Sequence, residues 1–291
     1  MTGADLTTLG IGGKFLDLLV PEDGNELSLM MRRIHSEGRS FSVLGGGSNV
    51  LVTDEDMETP VILTTSMKSV RINREGERLL VTCGAGVALR DLMAMTLREG
   101  WSGLEFAPGI PGTVGGAVVG NAGSRYGTIG QSVHSVRLMR PGGASTEIGG
   151  EDIEWGYRMS GLQREELSIV WEVAFSFRES DRNAVLAEAK RSAAIRGMQP
   201  VGRRTAGCVF MNPPEDSAGR LLDLAGCKGL SVGGAVVSDI HANFIENAEG
   251  ASAADVAKLA DVCRERVSDI FGVRLRFELK SIGMSLGDCG G

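Results

Sequence analysis

The chain has little from which to build a metal centre or a disulfide framework. Its 291 residues include only five cysteines and three histidines. Cys83, Cys208, Cys227, Cys263 and Cys289 are odd in number, and no two have Cys-x-x-Cys spacing. Such a set predicts reduced thiols in a cytoplasmic protein rather than structural bridges. His35, His134 and His241 lie far from one another and from any cysteine pair, so no metal site is expected. A basic excess is missing too: 30 Lys and Arg stand against 37 Asp and Glu, a net charge of −7. That balance disfavours nucleic acid, which is usually met by a basic face. No apolar run reaches membrane-spanning length, and no basic and apolar signal precedes the first elements, so no membrane insertion is expected. Internal repeats and low-complexity tracts are also lacking.

Glycine, by contrast, is abundant. The chain has 42 of them, about twice the usual share of ~7%. Residues 108–123 read PGIPGTVGGAVVGNAG, with six glycines, two prolines and no charge. Leu44–Val52, LGGGSNVLV, has the same character. Glycine lets backbone approach a ligand closely, successive N–H groups in a turn form an anion-binding hollow, and proline fixes the surrounding chain. One such loop alone reads as tight turns. Two predict a nucleotide diphosphate, with Ser48 and Thr113 adding hydroxyl donors. Neither loop has the full strand–GxGxxG–helix fingerprint of a Rossmann domain.

The length allows two or three domains. Leu27, Met30, Met31 and Ile34 have helical spacing that Gly38 ends. Phe41–Leu44, Asn49–Val52 and Val61–Thr64 read as short buried strands, so this segment alternates as a βαβ unit would. Ser69–Asn73 with Arg78–Cys83 reads as a hairpin, and Ser135–Arg140 with Ala144–Ile148 as another. Val87–Glu99 is expected to be helical, with Gly100 as its stop. Ile169, Trp171, Val173, Phe175 and Phe177 alternate and are expected on one strand face. Asp181 then caps a helix over Arg182–Arg196. Beyond Gln199-Pro200, helices are expected over Ala218–Leu224 and Ala253–Phe271, the latter between Ser252 and Gly272. A glycine turn at Gly233-Gly234, a strand near Asn243–Glu246 and a final strand over Val273–Ile282 complete the pattern.

Four positions outside the glycine loops could carry chemistry. In VRLRFELKSI, Leu275, Phe277 and Leu279 share one face, and Arg274, Arg276, Glu278 and Lys280 the other. That second face is either a solvated row of ion pairs or the wall of a cleft, where neighbouring cations would keep Glu278 ionised. In TAGCVFMNPP, alternation puts Cys208 and Phe210 on one face and Val209 and Met211 on the other. A free cysteine there is either a small buried hydrophobe or, protonated at neutral pH, a general acid. Tyr157-Arg158 in WGYRMSG is either surface cover or a ligand clamp.

Six motifs stand in order: LGGGSNVLV, PGIPGTVGGAVVGNAG, WGYRMSG, TAGCVFMNPP, AGRLLDLAGCKGLSVGGAVVSDIHANFIEN and FGVRLRFELKSIG. With them the chain resembles the UDP-N-acetylenolpyruvoylglucosamine reductases, the MurB family of flavin enzymes, in its second, shorter subtype. The resemblance implies an α+β architecture: a two-part FAD-binding region of the vanillyl-alcohol-oxidase/PCMH type over residues 1–67 and 68–197, and a C-terminal α/β substrate-binding domain over 198–291. It implies that Gly45, Gly46, Gly47, Ser48 and Asn49, with Gly112, Thr113, Gly115 and Gly116, cradle the FAD pyrophosphate. Asn121 and Gly123 would lie near the flavin. NADPH is implied as co-substrate, and a UDP-sugar enolpyruvyl ether as the substrate. Arg158 and Glu278 map to the family's catalytic arginine and glutamate, and Cys208 to its proton donor, where serine is commoner. Tyr157 and Asn212 match substrate contacts. Met211, where a basic residue is frequent, and Gly161-Leu162, where an aromatic is commoner, depart from the pattern. A monomer is favoured. Two other readings stand beside this one: another FAD-dependent small-molecule oxidoreductase on the same flavin fold, and a non-catalytic nucleotide-binding descendant. The first would not need the TAGCVFMNP and FELKSIG blocks together. The second predicts erosion at Arg158, Cys208 and Glu278, which all remain chemically competent.

Overall fold

The structure, a computed structural model, describes residues 1–76, 78–165, 167–196, 199–200 and 202–287. The expected 197/198 boundary and Cys289 fall outside those residues. The chain is mixed α+β and divides into two compact units: Asp17–Gly46 with Thr59–Arg196, and Met1–Leu16 with Gly47–Glu58 and Gly197–Gly291.

The first unit is built on strand Ile169–Glu179. It pairs antiparallel with Val133–Met139 on one side and Arg78–Gly84 on the other, and Ser145–Gly149 and Val70–Glu75 extend the sheet. Both expected hairpins form. Val173, Phe175 and Phe177 are buried, with the two Phe rings stacked at 5.8 Å. The expected single apolar face of this strand is interrupted. Opposite Leu138 and Arg137 stand Val170 and Glu172, so Trp171 is an extra, bulged residue. Ile169 and Trp171 therefore pack with Leu27, Met31 and Ile34 of helix Gly24–Ser36, while Val170, Val173, Phe175 and Phe177 enter the other core. Asp23 caps that helix through the N–H groups of Asn25 and Glu26. Strands Leu18–Leu19, Val61–Leu63 and Ser42–Leu44 form a small parallel sheet. Helix Leu89–Glu99 ends at Gly100, whose φ of 72° makes it a left-handed cap. A short helix, Val114–Val119, forms inside the glycine-rich segment that the sequence presents as loop.

In the second unit, strands Thr205–Cys208, Phe244–Asn247, Ala235–Val237 and Ser231–Val232 form an antiparallel sheet in that order. Helices Ala218–Leu224 and Ala253–Phe271 contribute to the core beneath it through Leu221, Leu222, Val256, Leu259 and Cys263. Ser252 and Asp255 make a capping box, and Gly272 closes the long helix in a left-handed conformation. The strand expected at Asn49–Val52 forms as Val50–Val52. It does not join Ser42–Leu44, but runs parallel to Lys280–Ile282. Short apolar runs carry no label for their partner. The expected final strand is regular only over Lys280–Ile282, yet its alternation holds: Leu275, Phe277 and Leu279 are buried, while Arg274, Arg276 and Lys280 are exposed.

Candidate active site

In the first unit, the two glycine loops touch. A Cβ built on Gly46 would lie 3.0 Å from Gly112 Cα, and one on Gly45 would lie 2.7 Å from Thr113 Oγ1. Only glycine permits that approach. Thr113 is buried, and its hydroxyl finds no hydrogen-bond partner among the described residues. A buried, unpartnered hydroxyl beside bare backbone fits a ligand rich in acceptor oxygens, as a pyrophosphate is. Gly112, at φ 100°, gives the loop its left-handed turn. Gly115 donates its N–H to the Ala85 carbonyl at 2.9 Å, and a Cβ there would strike Ala85 Cβ, so it serves close packing. Gly116 is exposed, with Thr113 Oγ1 the sole neighbour a Cβ would meet, at 3.6 Å.

Hairpin Trp155–Gly156/Met159–Ser160 is pinned to the same glycine-rich segment. Asn121 Nδ2 donates to the Gly156 carbonyl at 2.8 Å, and Asn121 Oδ1 accepts from Gly130 N–H at 3.2 Å. Ser160 donates its hydroxyl to the Val119 carbonyl at 2.7 Å. Arg158 Nη1 donates to the Gly123 carbonyl at 2.9 Å, and its guanidinium lies 5.5 Å from the Tyr157 ring. Tyr157 itself is exposed. Arg158 has φ 55°, a left-handed conformation that non-glycine residues rarely adopt and that concentrates at functional sites. Leu162 is buried in the core of this unit.

The second unit brings the Cys208 and Glu278 segments together. The Val209 carbonyl accepts the N–H groups of Glu278 and Leu279, at 2.8 and 3.2 Å, and Met211 N–H donates to the Arg276 carbonyl at 2.9 Å. Phe210 and Phe277 face each other, with ring centroids 5.1 Å apart. Asn49 Nδ2 donates to the Glu278 carbonyl at 3.0 Å. Thus Ser48 and Asn49, expected at a phosphate, sit in the unit that carries Glu278. Gly47, at φ 60°, has the Leu6 carbonyl where a Cβ would stand.

The alternation expected around Cys208 is overturned. Gly207 has φ 80°, and the pairing with Phe244–Asn247 shifts register between Thr205 and Cys208. Val209 and Phe210 are both buried, and Cys208 is half-exposed. Bulges of this kind re-aim side chains beside sites. Cys208 is the one half-exposed thiol among the described cysteines. Burial pushes Cys83 up to about 12. A hydrogen bond to Cys227, together with burial, pushes Cys263 up as well. Asn212 Oδ1 accepts the Ala218 N–H at 3.0 Å at the start of helix Ala218–Leu224. Sequence reasoning missed Asn243, whose amide bonds Phe210 and which is an ordinary Asn in an apolar run.

Among the described residues, no three His, Cys, Asp or Glu converge as a metal cluster, and no helix is long and apolar enough to cross a membrane.

Residues 17–149 match the FAD binding domain, and residues 199–282 match the UDP-N-acetylenolpyruvoylglucosamine reductase C-terminal domain. The chain is 41% identical over 287 residues to the UDP-N-acetylenolpyruvoylglucosamine reductase of Heliobacterium modesticaldum, covering 98% of this chain and 90% of that protein. It is 38% identical over 289 residues to the enzyme of the same name from Desulfosudis oleivorans, covering 95% and 91%. The crystal structure of UDP-N-acetylenolpyruvylglucosamine reductase from Thermus caldophilus aligns with a TM-score of 0.82, 36% identity and 97% coverage of both chains. The chain belongs to the UDP-N-acetylenolpyruvoylglucosamine reductase family and is an FAD-binding oxidoreductase.

Proposed function

We propose that this protein uses NADPH to reduce UDP-N-acetylglucosamine enolpyruvate to UDP-N-acetylmuramate, in the cytoplasmic synthesis of peptidoglycan precursors. Bound FAD would supply the hydride path from NADPH to the vinyl β-carbon of the substrate. Gly45, Gly46, Gly112 and Thr113 would hold the FAD pyrophosphate, with Gly116 beside Thr113 and with Asn121 and Gly123 shaping the adjoining segment of the same unit. The unpartnered Thr113 hydroxyl supports that assignment.

Arg158 stabilises the negative charge that builds on the substrate carboxylate as the β-carbon accepts hydride, because a fixed cation lowers the energy of that state. Cys208 then gives its Sγ proton to the α-carbon, and solvent restores it. A thiol is far more acidic than the commoner hydroxyl, so the proton leaves more readily. An ionised carboxylate beside an enolate is unfavourable, so Glu278 acts through a proton, a water or a neighbouring arginine. Tyr157 and Asn212 hold the sugar nucleotide. The observation that carries the reading is the joining of the Cys208 and Glu278 segments through the Val209 carbonyl.

The test is a two-step anaerobic experiment. The purified protein should show flavin absorbance, bleach on addition of NADPH, and recover colour only when the enolpyruvyl sugar nucleotide is added. Bleaching without substrate-dependent recovery would sink the assignment and favour another FAD-dependent oxidoreductase.

A further inference from the structure

Asn243 lies in an apolar stretch, Ala242–Ile245, and is only 3% exposed. Its polar groups go to the backbone just beyond Cys208. Its carbonyl accepts the Val209 N–H at 2.9 Å. Its side-chain Oδ1 accepts the Phe210 N–H at 2.9 Å, and its Nδ2 donates to the Phe210 carbonyl at 2.8 Å. Its own N–H donates to His241 Nδ1 at 3.2 Å. The Val209 carbonyl is the group that accepts from Glu278 and Leu279. The regular ladder stops at Cys208 opposite Phe244, just after the register shift at Gly207. Beyond that point a side-chain amide supplies the bonds that a neighbouring strand would otherwise make.

We propose that Asn243 is a positioning residue that fixes the backbone carrying the Cys208 thiol beside the Glu278 segment. This rests on the proposed function, since it assigns Cys208 its proton-donating role. The amide suits the task because Phe210 presents one donor and one acceptor, and an amide matches both. A leucine of similar size matches neither. An ionised aspartate accepts from the N–H but repels the carbonyl, whereas a protonated one again matches both.

The experiment compares wild-type, Asn243→Leu and Asn243→Asp holoproteins, all flavin-loaded, by anaerobic rapid mixing. The rate of flavin bleaching by NADPH should stay within about twofold of wild type. Recovery driven by the enolpyruvyl substrate should fall by ~10-fold to ~100-fold in Asn243→Leu, with the substrate concentration for half-maximal rate little changed, as expected for a displacement near 1 Å. In Asn243→Asp, recovery should rise relative to wild type as pH falls and the new carboxyl gains its proton. Equal losses in both steps, or recovery in Asn243→Leu within about twofold of wild type, would overturn the inference while leaving the proposed function intact. Should Asn243→Leu fail to load flavin, the Asn243→Asp pH profile decides: one parallel to wild type overturns the inference. A wild-type protein that substrate cannot reoxidise overturns the proposed function and this inference with it.

Discussion

At the scale of single residues, Cys208 and Arg158 make separable predictions. Cys208→Ala should leave flavin bleaching by NADPH largely intact and slow substrate-driven recovery by ~100-fold to ~10,000-fold, the usual range for a lost general acid. Equal turnover in mutant and wild type would remove Cys208 from the reaction. Cys208→Ser should keep measurable activity and resist peroxide better, because a thiolate is oxidised and a hydroxyl is not. Arg158 holds a left-handed backbone at φ 55° and donates to the Gly123 carbonyl at 2.9 Å. Arg158→Gly relieves the backbone strain but removes the bond to the Gly123 carbonyl and the contact with the Tyr157 ring. Turnover should fall by orders of magnitude, far out of proportion to any loss of stability in urea unfolding. An arginine serving the fold alone would show the reverse. The residue types were legible in the sequence: a thiol, an arginine and a carboxylate in six ordered motifs. Their setting was not. Neither the left-handed backbone at Arg158 nor the bulge before Cys208 leaves a trace in hydrophobic spacing.

At the scale of elements, the meeting of the two glycine loops is the feature most open to test. Gly46→Ala places a methyl group 3.0 Å from Gly112 Cα, where backbone must yield. Flavin content of the purified protein, read from its visible absorbance, should drop sharply with the far-ultraviolet circular dichroism preserved. Thr113→Val replaces an unpartnered buried hydroxyl with a methyl group. The flavin-free protein should gain about 1 kcal/mol in urea unfolding, and flavin affinity should fall. Unchanged flavin affinity would take Thr113 out of the cradle. Helices with clear caps, such as Gly24–Ser36 after Asp23 and Ala253–Phe271 after Ser252, were readable because capping chemistry is local. The helix Val114–Val119 was not, because glycine hides helical character and Ala85 packs where the Gly115 side chain would be. Trp171 was misplaced for a related reason: a bulge slips alternation by one residue, and only the partner strand reveals it.

At the scale of the molecule, one histidine links global stability to pH. Burial holds His241 below its ordinary value of 6.5, against an opposing hydrogen bond to its own backbone, with Lys228 adding to the lowering and Asp223 opposing it. Its Nδ1 accepts the Asn243 N–H, so the fold prefers the neutral ring. A group whose folded value is lowered binds its proton more readily when unfolded. Stability is then full above about 6.5 and declines as pH falls below it. His241→Gln should flatten that slope in thermal melts taken across the acidic range, and a slope that persists would point to other groups. The structure shares the chain between two compact units, one of them assembled from three separate segments.

That sharing governs the order in which the protein can be made. The unit holding Gly45, Thr113 and Arg158 is complete once Arg196 has been synthesised. The other unit needs its first sixteen residues, then Gly47–Glu58, then everything from Gly197 onward. On the ribosome, Val50–Val52 must wait for Lys280–Ile282 before it has a partner. Bringing such distant segments together is slow, and their apolar faces stay open meanwhile. The segments carrying Cys208 and Glu278 can therefore mature only after nearly the whole chain has emerged, so a ribosome that stalls late leaves the flavin-binding part folded and the part carrying Cys208 unmade.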